Sequence, residues 1–432
     1  MLDTIIFILI AIILGGVILG FIIKKPHHTM AVYYAGMFFR RLVLPDVQVR
    51  VSVIIQIALM IFCFCCAVIG FAVNNRKAFK EIKGSTFWGF AIIIILVTAV
   101  EVVCGYFSGY SIFSILVDVY KVLEILMFFL LFNQIWRSTE EMDKALTLLC
   151  VEMCLFGIVE MFTTERGGVG INMVMCFFPI FFAKGIYGKV KMFWPIVICS
   201  ALIVIVSKTR TYLIGLLLGL LLLMIFAKGK NRTSIWFVTI ALVVVASFGV
   251  SAYVKNNESE LISTIFARFT ALLDGFDSAG GYRWEEMKVA WSKFLEKPFF
   301  GQGYGYQEYV YINKMGYTLW GDFMHNTYVE VLAKTGVFGA MFYGCGVLGF
   351  LLTLRKMIKE HRKENNIKTV GHLAGGLAGT ISWMFVYFAA PLSSYGYVFI
   401  PGIVGFLYAT LSKQERKECP QILNGEQFGD GR

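Results

Sequence analysis

Three side chains of this sequence combine a proton-transfer group with two cations suited to phosphate. His325 lies where a long polar segment meets an apolar run, and imidazole can take up a proton near neutral pH. Arg210 and Arg283 carry guanidinium groups, which can bind two phosphate oxygens at once. Together these residues could activate a hydroxyl group against a phosphorylated leaving group. From position alone, His325 and Asn326 could equally cap a helix at the lipid headgroups.

Both arginines also allow a purely structural interpretation. Arg210 could extend to the lipid headgroups together with its neighbour Lys208, as long basic side chains do at the ends of spans. Arg283 could be an exposed residue at a helix start, although the helix dipole disfavours a cation there. The positions of the helices and loops that carry these residues distinguish between the two interpretations.

Other catalytic patterns are missing from the sequence. It contains no Gly-x-Ser-x-Gly elbow of a serine hydrolase and no phosphate loop. The run Gly301-Gln302-Gly303-Tyr304-Gly305 does not follow a strand pattern, which argues against dinucleotide binding. Metal sites need clustered histidines, cysteines or carboxylates, and the long polar segment offers a single histidine. We therefore expect no cofactor and no metal.

The composition is that of a membrane protein. Of the 432 residues, 58% are hydrophobic and only 16% are charged. Apolar stretches of about 20 residues recur, each long enough to cross a hydrocarbon core of about 30 Å as a helix. This predicts an all-α, polytopic integral membrane protein. The net charge of +11 comes from Lys and Arg in short loops rather than from a continuous basic face, so we expect no nucleic acid partner.

The apolar runs predict about 12 transmembrane helices, with one long extracytoplasmic loop between the ninth and the tenth. The expected spans are residues 3–23, 51–73, 85–103, 112–132, 145–163, 169–183, 192–206, 211–227, 234–254, 327–354, 371–391 and 395–411. The chain thereby divides into helices 1–9 within residues 1–254, the large loop 255–324, helices 10–12 within 325–412 and a cytoplasmic tail 413–432.

Basic residues orient these helices by the positive-inside rule. The cytoplasmic side is marked by Arg76, Lys77, Lys80, Lys83, Lys184, Lys189, Lys191, Lys228, Lys230, Arg232, the segment 355–363, Lys413, Arg416 and Lys417. The loop 255–324 and His325 then lie on the extracytoplasmic side. The N-terminal basic residues break the pattern, because they would lie outside: Lys24, Lys25, Arg40, Arg41 and Arg50. Either a further span runs through Met30–Leu44, or this part is an outer-face or re-entrant element.

The large loop contains one helical pattern. Residues 283–297 have a helical period, with Trp284, Met287, Trp291 and Leu295 on one face. Such a helix could lie on the membrane interface or roof a cavity.

Several ionisable residues lie inside the expected spans. Asp118, Lys121 and Glu124 recur every three residues, so they share a helix face and can form a structural pair inside the bundle. Glu330 lies five residues beyond His325 and could line the same cavity.

Three motifs follow one another between Cys199 and Gly339. They are Ser207-Lys208-Thr209-Arg210-Thr211, then Arg283 with Trp284, Trp291 and Pro298-Phe299-Phe300-Gly301-Gln302-Gly303, and finally His325-Asn326-Thr327-Tyr328 with Gly336-Val337-Phe338-Gly339. They resemble the Ser-Arg-Thr, Arg–Trp–Pro-Leu-Phe-Gly-x-Gly and His-Asn-x-Tyr…Gly-x-x-Gly patterns of the O-antigen ligase and O-antigen polymerase superfamily. These bacterial membrane enzymes transfer or polymerise glycans carried on undecaprenyl pyrophosphate. Lys208 and Thr209 depart from the first pattern, because they stand between Ser and Arg.

The resemblance implies an inverting glycosyltransferase with undecaprenyl pyrophosphate as the leaving group. Arg210 and Arg283 would bind the pyrophosphate of the donor, and His325 would deprotonate or orient the acceptor hydroxyl. Further candidates for substrate binding are Lys208, Asn326, Tyr328, Glu330, Trp284 and Tyr304. The partners would be the undecaprenyl-pyrophosphate-linked glycan, a glycan or lipid acceptor, a flippase and a chain-length regulator. The site would face the extracytoplasmic side of the bacterial cell (inner) membrane.

Three functions remain open at this point. Polymerisation of O-antigen, capsule or exopolysaccharide repeat units is favoured by the long outer loop and because the chain gives no clue to an outer-membrane acceptor. Ligation of the lipid-linked glycan to a lipid, cell-wall or protein acceptor would use the same donor. A transporter or flippase would use the isolated acids Glu101, Glu152 and Glu160 as an ion path, but the chain has no clear inverted repeat.

Overall fold

The computed structural model describes most of the chain. The described residues are 16–43, 49–81, 85–163, 168–188, 190–206, 210–226, 233, 236, 237, 240, 281–312, 317–321, 326–388 and 396–418. Lys208 and His325 lie outside them, as does nearly all of the expected span 234–254.

The described part of the chain is built mainly from α-helices. Their bounds are α1 (16–24), α2 (Thr29–Val43), α3 (Val49–Val73), α4 (Ser85–Phe107), α5 (Ile112–Ile135), α6 (Thr139–Thr163), α7 (Val169–Tyr187), α8 (Phe193–Val206), α9 (Arg210–Phe226), α10 (Gly281–Glu296), α11 (Thr327–Lys363), α12 (Ile367–Val386) and α13 (Ile400–Glu418). Five segments of the described residues are long and apolar enough to cross a membrane: Val53–Val73, Trp88–Phe107, Thr139–Thr163, Val169–Tyr187 and Thr327–Lys363. The chain is therefore a multi-pass helical membrane protein, as its composition predicts.

One β-hairpin departs from the expected all-helical structure. Strands β1 (Glu308–Ile312) and β2 (Tyr317–Gly321) pair antiparallel, with Glu308 opposite Gly321 and Ile312 opposite Tyr317. Both strands are rich in aromatic and β-branched residues, which favour the extended backbone. The hairpin lies between α10 and α11, so it belongs to the large polar loop.

Helix α7 forms the core of the bundle. Its residues from Met173 to Ala183 are buried, because they are apolar around the whole circumference of the helix. Helix α12 packs against it through small residues, and a Cβ on Gly375 would lie 2.5 Å from the Cα of Ile180. Such close approach through glycine is common between helices in membranes, where van der Waals contact drives association.

Helix α13 begins inside the bundle rather than at its end. A Cβ on Gly376, near the middle of α12, would lie 2.6 Å from the carbonyl oxygen of Pro401. Proline suits the first turn of a helix, where no intrahelical N–H donor is needed. The expected span 395–411 therefore corresponds to a helix that begins later, at mid-height of α12, and covers Ile400–Glu418.

A contact near the N-terminus shows which end of the bundle carries the first basic residues. The side-chain amide of Asn74 donates a hydrogen bond to the Ile23 carbonyl (2.7 Å). Lys24 and Lys25 therefore adjoin the loop after α3, which contains Arg76. We call this end of the helix bundle the basic end.

Helix α2 runs away from the basic end. Arg76 binds Glu141 in the first turn of α6 (2.6 Å), so α6 starts at the basic end. Phe38 of α2 stacks on Phe156, in the second half of α6, with ring centroids 4.3 Å apart. Arg41 therefore lies toward the opposite end of the bundle. This arrangement agrees with the further-span alternative, although α2 is only about 22 Å long at 1.5 Å per residue.

Cysteine labelling tests the course of α2. In a variant without the native cysteines, Lys25→Cys and Arg76→Cys are expected to react with a membrane-impermeant maleimide from the same side, and Leu42→Cys from the opposite side. The reason is that α2 separates position 25 from position 42. Reaction of Lys25→Cys and Leu42→Cys from one common side would instead identify a re-entrant element.

Candidate active site

The start of α11 is fixed by an asparagine cap. Asn326 is 4% exposed, and its side-chain oxygen accepts hydrogen bonds from the backbone N–H groups of Tyr328 (3.0 Å) and Val329 (3.2 Å). These bonds satisfy donors that every helix N-terminus leaves open. The capping interpretation is therefore confirmed for Asn326. His325, the residue directly before the cap, lies outside the described residues.

Helix α11 is interrupted at Gly336, nearly three turns after its cap. The backbone there has φ 60° and ψ −166°, so the helical hydrogen bonds across this point are replaced. The freed carbonyls of Ala333 and Lys334 accept the N–H groups of Gln302 and Gly303, both at 2.8 Å. In the other direction, the Val337 N–H donates to Pro298 (2.8 Å) and the Phe338 N–H donates to Phe299 (3.0 Å). The Pro298–Gly303 motif and the Gly336–Gly339 motif, separate in the sequence, therefore bind each other.

We call the contact between the Pro298–Gly303 and Gly336–Gly339 motifs the joint. Its close backbone packing explains why glycines stand in both motifs. A Cβ on Gly336 would overlap the carbonyl oxygen of Phe299, and φ there lies in the left-handed region. A Cβ on Gly303 would overlap the backbone of Gly105 in α4. On the far side, the Tyr304 N–H donates to the Glu101 carbonyl (3.1 Å). The loop after α10 is thus threaded between α4 and α11.

A buried ion network lies directly below the joint. Lys334 Nζ contacts Asp118 Oδ1 (2.8 Å) and Glu330 Oε1 (3.0 Å). Lys121 Nζ contacts the same two oxygens at 3.3 and 3.6 Å. All four side chains are at most 6% exposed. The second oxygen of Asp118 accepts the Gly305 N–H (2.8 Å), so the network also fixes the loop.

The network confirms one expectation and adds to it. The predicted pairing of Asp118 with Lys121 inside the bundle is present, while Glu124 accepts hydrogen bonds from Gln56 (2.5 Å) and Tyr120 (3.2 Å). Lys334 was missed, although its position four residues after Glu330 puts both on one face of an apolar helix.

Helix α10 brings Arg283 toward the cap of α11. Its buried Ala290 packs with Ala333 and Tyr306, which fixes α10 against α11. The side-chain nitrogen of Asn326 lies 3.4 Å from Met287 Sδ. Since Met287 is one helical turn after Arg283, the first turn of α10 lies beside the start of α11. Position 283 therefore lies near the cap of α11, although the two are far apart in the sequence.

The exposed face of α10 agrees with a place at the membrane interface. Trp291 is 49% exposed and Leu295 is 59% exposed, while Ala290 and Phe294 are buried. Large apolar side chains on the outer face of a polar loop suit the boundary between headgroups and acyl chains. The expected helical pattern 283–297 is confirmed as Gly281–Glu296.

The start of α9, which carries Arg210, joins the same end of the bundle. The ring of Tyr212 meets Trp383 of α12 edge-on, with 5.9 Å between centroids. One turn later, the Tyr387 carbonyl accepts the N–H of Thr327, the first residue of α11 (3.2 Å). The starts of α9, α10 and α11 thus lie at one end of the bundle, and the first turns of α9 and α10 carry Arg210 and Arg283.

The other candidates for substrate binding occupy different environments. Tyr304 is 2% exposed, and its hydroxyl pairs with that of Tyr343. Tyr328 is 40% exposed, and its hydroxyl donates to the Met384 carbonyl (2.6 Å). Glu330 belongs to the ion network. The structure does not describe Lys208 or the side chains of Arg210, Arg283 and Trp284. Their roles in substrate binding stay predictions.

Alanine at position 336 is expected to disrupt the joint. At φ 60° and ψ −166°, a conformation adopted almost only by glycine, a non-glycine residue costs roughly 1–3 kcal/mol, and the added Cβ would also displace Phe299. Gly336→Ala should therefore lower the thermal unfolding midpoint of the purified protein in detergent. Gly349→Ala is the matched control, because a Cβ there meets nothing within 4 Å. Equal midpoints for the two variants would contradict this account of the joint.

The ion network predicts strong coupling between Asp118 and Lys334. Asp118→Asn and Lys334→Met should each lower the free energy of unfolding by roughly 3–5 kcal/mol, because each leaves a buried charge uncompensated. The double variant should lose less than the sum, since Lys121 and Glu330 still balance each other. A double-mutant cycle by denaturant titration in mixed micelles measures the difference. Additive losses would show that the two side chains do not interact.

Comparison with known protein families bears on the region that contains all three motifs. Residues 195–344 match the family model of O-antigen ligase. A search of curated proteins gave no match. The matched region begins in α8, includes α9 and α10, and ends in α11 beyond the Gly336 joint. Residues 195–344 are therefore similar to the O-antigen ligase family, in the region that contains all three motifs.

Proposed function

We propose that this protein polymerises oligosaccharide repeat units carried on undecaprenyl pyrophosphate, in the biosynthesis of O-antigen, capsule or another exopolysaccharide. The observation that carries the proposal is the convergence of three motifs at one end of the helix bundle. Contacts of Tyr212, Met287 and Asn326 bring the starts of α9, α10 and α11 to this end. In the proposal this end faces the extracytoplasmic side of the bacterial inner membrane.

The arginines bind the pyrophosphate of the donor in this proposal. Arg210 is the first residue of α9, and Arg283 stands in the first turn of α10. A helix N-terminus offers unpaired N–H groups and the positive end of the helix dipole, so a phosphate is favoured there. An arginine alone is disfavoured at the same place. A bound anion removes this penalty and supports a functional interpretation of both residues.

The reaction requires a sugar hydroxyl to attack the anomeric carbon while the bond to the pyrophosphate breaks. His325 takes the hydroxyl proton as the new glycosidic bond forms. The electron pair of the breaking bond moves to the pyrophosphate oxygen, and the guanidinium groups stabilise the charge that develops there. Attack opposite to the leaving group inverts the anomeric configuration. The donor is the lipid-linked glycan, so no nucleotide sugar takes part.

A second candidate is ligation of the lipid-linked glycan to a lipid, cell-wall or protein acceptor. The matched family is described as O-antigen ligase, which favours this alternative. Ligation needs the same donor site and the same base, so it differs only in the acceptor.

Transport, unlike the two transfer reactions, has no support from the family match. Of the three isolated acids that an ion path would use, Glu160 accepts the N–H groups of Val169 (2.7 Å) and Gly170 (2.9 Å) at the start of α7. This acid therefore has a structural role as a helix cap.

Substitutions at positions 283 and 325 test the proposed chemistry. Arg283→Ala and His325→Ala are expected to abolish glycan transfer while membrane insertion stays intact. Arg283→Lys should restore little activity, because lysine cannot bind phosphate at two points. Arg355→Ala is a matched control, because Arg355 is exposed in the second half of α11, remote from its cap. Normal product ladders from His325→Ala would rule out its role as the base.

Turnover by the purified protein separates the alternatives. The protein is supplied with undecaprenyl-pyrophosphate oligosaccharide, first alone and then with a second acceptor. Longer carrier-linked glycan identifies a polymerase, and transfer only to the second acceptor identifies a ligase. Absence of both products would favour transport.

A further inference from the structure

Glu101 is a buried acid that takes no part in the chemistry proposed for His325 and the two arginines. It lies in α4, nearly two helical turns before the end of the span Trp88–Phe107, and it is 0% exposed. Neither of its carboxyl oxygens has a hydrogen-bond partner among the described residues. An ionised carboxylate without a partner is strongly unfavourable at such a place, so its burial requires compensation.

A second buried oxygen without a partner lies one turn before Glu101. Thr98 is 7% exposed, and within the part of the chain that the structure describes its hydroxyl oxygen has no hydrogen-bond partner. Residues three apart on a helix share a face, with about 5–6 Å between their Cβ atoms. Three oxygens with unused lone pairs therefore lie on the same side of α4.

Two tyrosine hydroxyl groups stand across from this side of α4. Tyr343 of α11 faces both Thr98 and Glu101, and its hydroxyl is paired with that of Tyr304. The backbone N–H of Tyr304 donates to the Glu101 carbonyl (3.1 Å), which fixes the loop after α10 at the same height. The oxygens are thus enclosed by α4, α11 and this loop.

A recess at the end of α4 leads toward these oxygens. Its volume is about 290 Å³, and its lining includes Cys104, which stands one turn after Glu101 on the same helix face. Helices α4 and α10 both end at the recess, and the negative ends of their dipoles favour a cation there. Lys297, the basic residue that lines the recess, contacts Ser108 (3.5 Å). A small cation can therefore approach Glu101 from this end of the bundle.

A monovalent cation matches the oxygens better than a proton or a divalent ion does. A proton would neutralise Glu101, but its O–H group would then be a buried donor that still needs an acceptor. A hard cation binds several oxygen ligands at once, so one ion can satisfy the carboxylate and the Thr98 hydroxyl together. One carboxylate balances one positive charge, whereas a divalent ion would leave an excess charge inside the bundle.

We propose that Glu101 and Thr98, together with the paired hydroxyl groups of Tyr304 and Tyr343, bind a sodium or potassium ion. The ion holds the loop after α10 between α4 and α11, next to the joint, and so stabilises this end of the bundle. Such a site needs no cluster of three His, Cys, Asp or Glu residues, and the described residues contain none suited to a metal. The proposal does not depend on the proposed function.

Thermal unfolding of the purified protein in mixed micelles tests the ion site. Choline chloride is replaced stepwise by sodium or potassium chloride at constant ionic strength. We expect a saturable rise of the unfolding midpoint, because an ion that binds only the folded state stabilises it. Glu101→Gln should abolish the rise, and Thr98→Val should shift it to higher salt concentration. Glu152→Gln is the matched control and should retain the rise, because Glu152 is also an isolated acid with an unpartnered oxygen among the described residues, but lies in α6.

A second measurement applies even if Glu101→Gln fails to fold. In a variant whose other native cysteines are replaced by serine, sodium or potassium should slow the reaction of Cys104 with a small maleimide. The reason is that Cys104 lines the recess one turn from Glu101, so a bound ion restricts opening at this place. Thr98→Val should then need more salt for the same protection.

Three outcomes would overturn the proposal. One is an unfolding midpoint and a Cys104 labelling rate that respond to neither sodium nor potassium. Another is an equal rise of the midpoint in the wild type and in Glu101→Gln, which would be a general salt effect. The third is a Glu101→Gln variant as stable in choline chloride as the wild type is in sodium or potassium chloride, which would identify Glu101 as a neutral acid without an ion.

Discussion

The break in α11 at Gly336 is the constraint on which the rest of the site depends. Inside a membrane, a backbone N–H or C=O group without a partner costs several kcal/mol. A spanning helix can therefore open only where another segment supplies the missing hydrogen bonds. Pro298–Gly303 supplies them in both directions, and by doing so it is fixed to the bundle. The polar loop and the membrane helix are thus a single structural unit at this point.

The ion network strengthens the same joint from inside the helix bundle. Lys334 offers its carbonyl to Gly303 and its ammonium group to Asp118 and Glu330. Asp118 in turn accepts the N–H of Gly305. Because two acids meet two lysines, the group carries no net charge, which lowers the cost of burying it in the bundle. The network joins α5, α11 and the loop while each charge retains close partners.

Sequence patterns predicted elements whose signal is local, and missed those that depend on distant contacts. The predicted span 51–73 corresponds to the helix Val49–Val73, because a long apolar segment has few alternatives to a spanning helix. The hairpin was missed although its strands are rich in aromatic residues and closely spaced in the sequence. Lys334 was missed because its acid partner Asp118 lies 216 residues away. The order of the motifs could be seen in the sequence, but their docking at Gly336 required the structure.

Capping and catalysis are not competing roles for His325 and Asn326. The first turn of α11 has N–H donors that its own helix cannot satisfy. Thr327 donates to the Tyr387 carbonyl, and the next two N–H groups donate to the side chain of Asn326. These donors are therefore satisfied without His325. The capping role that the sequence allowed for both residues is thus filled by Asn326, and the role of His325 as the base stays a prediction.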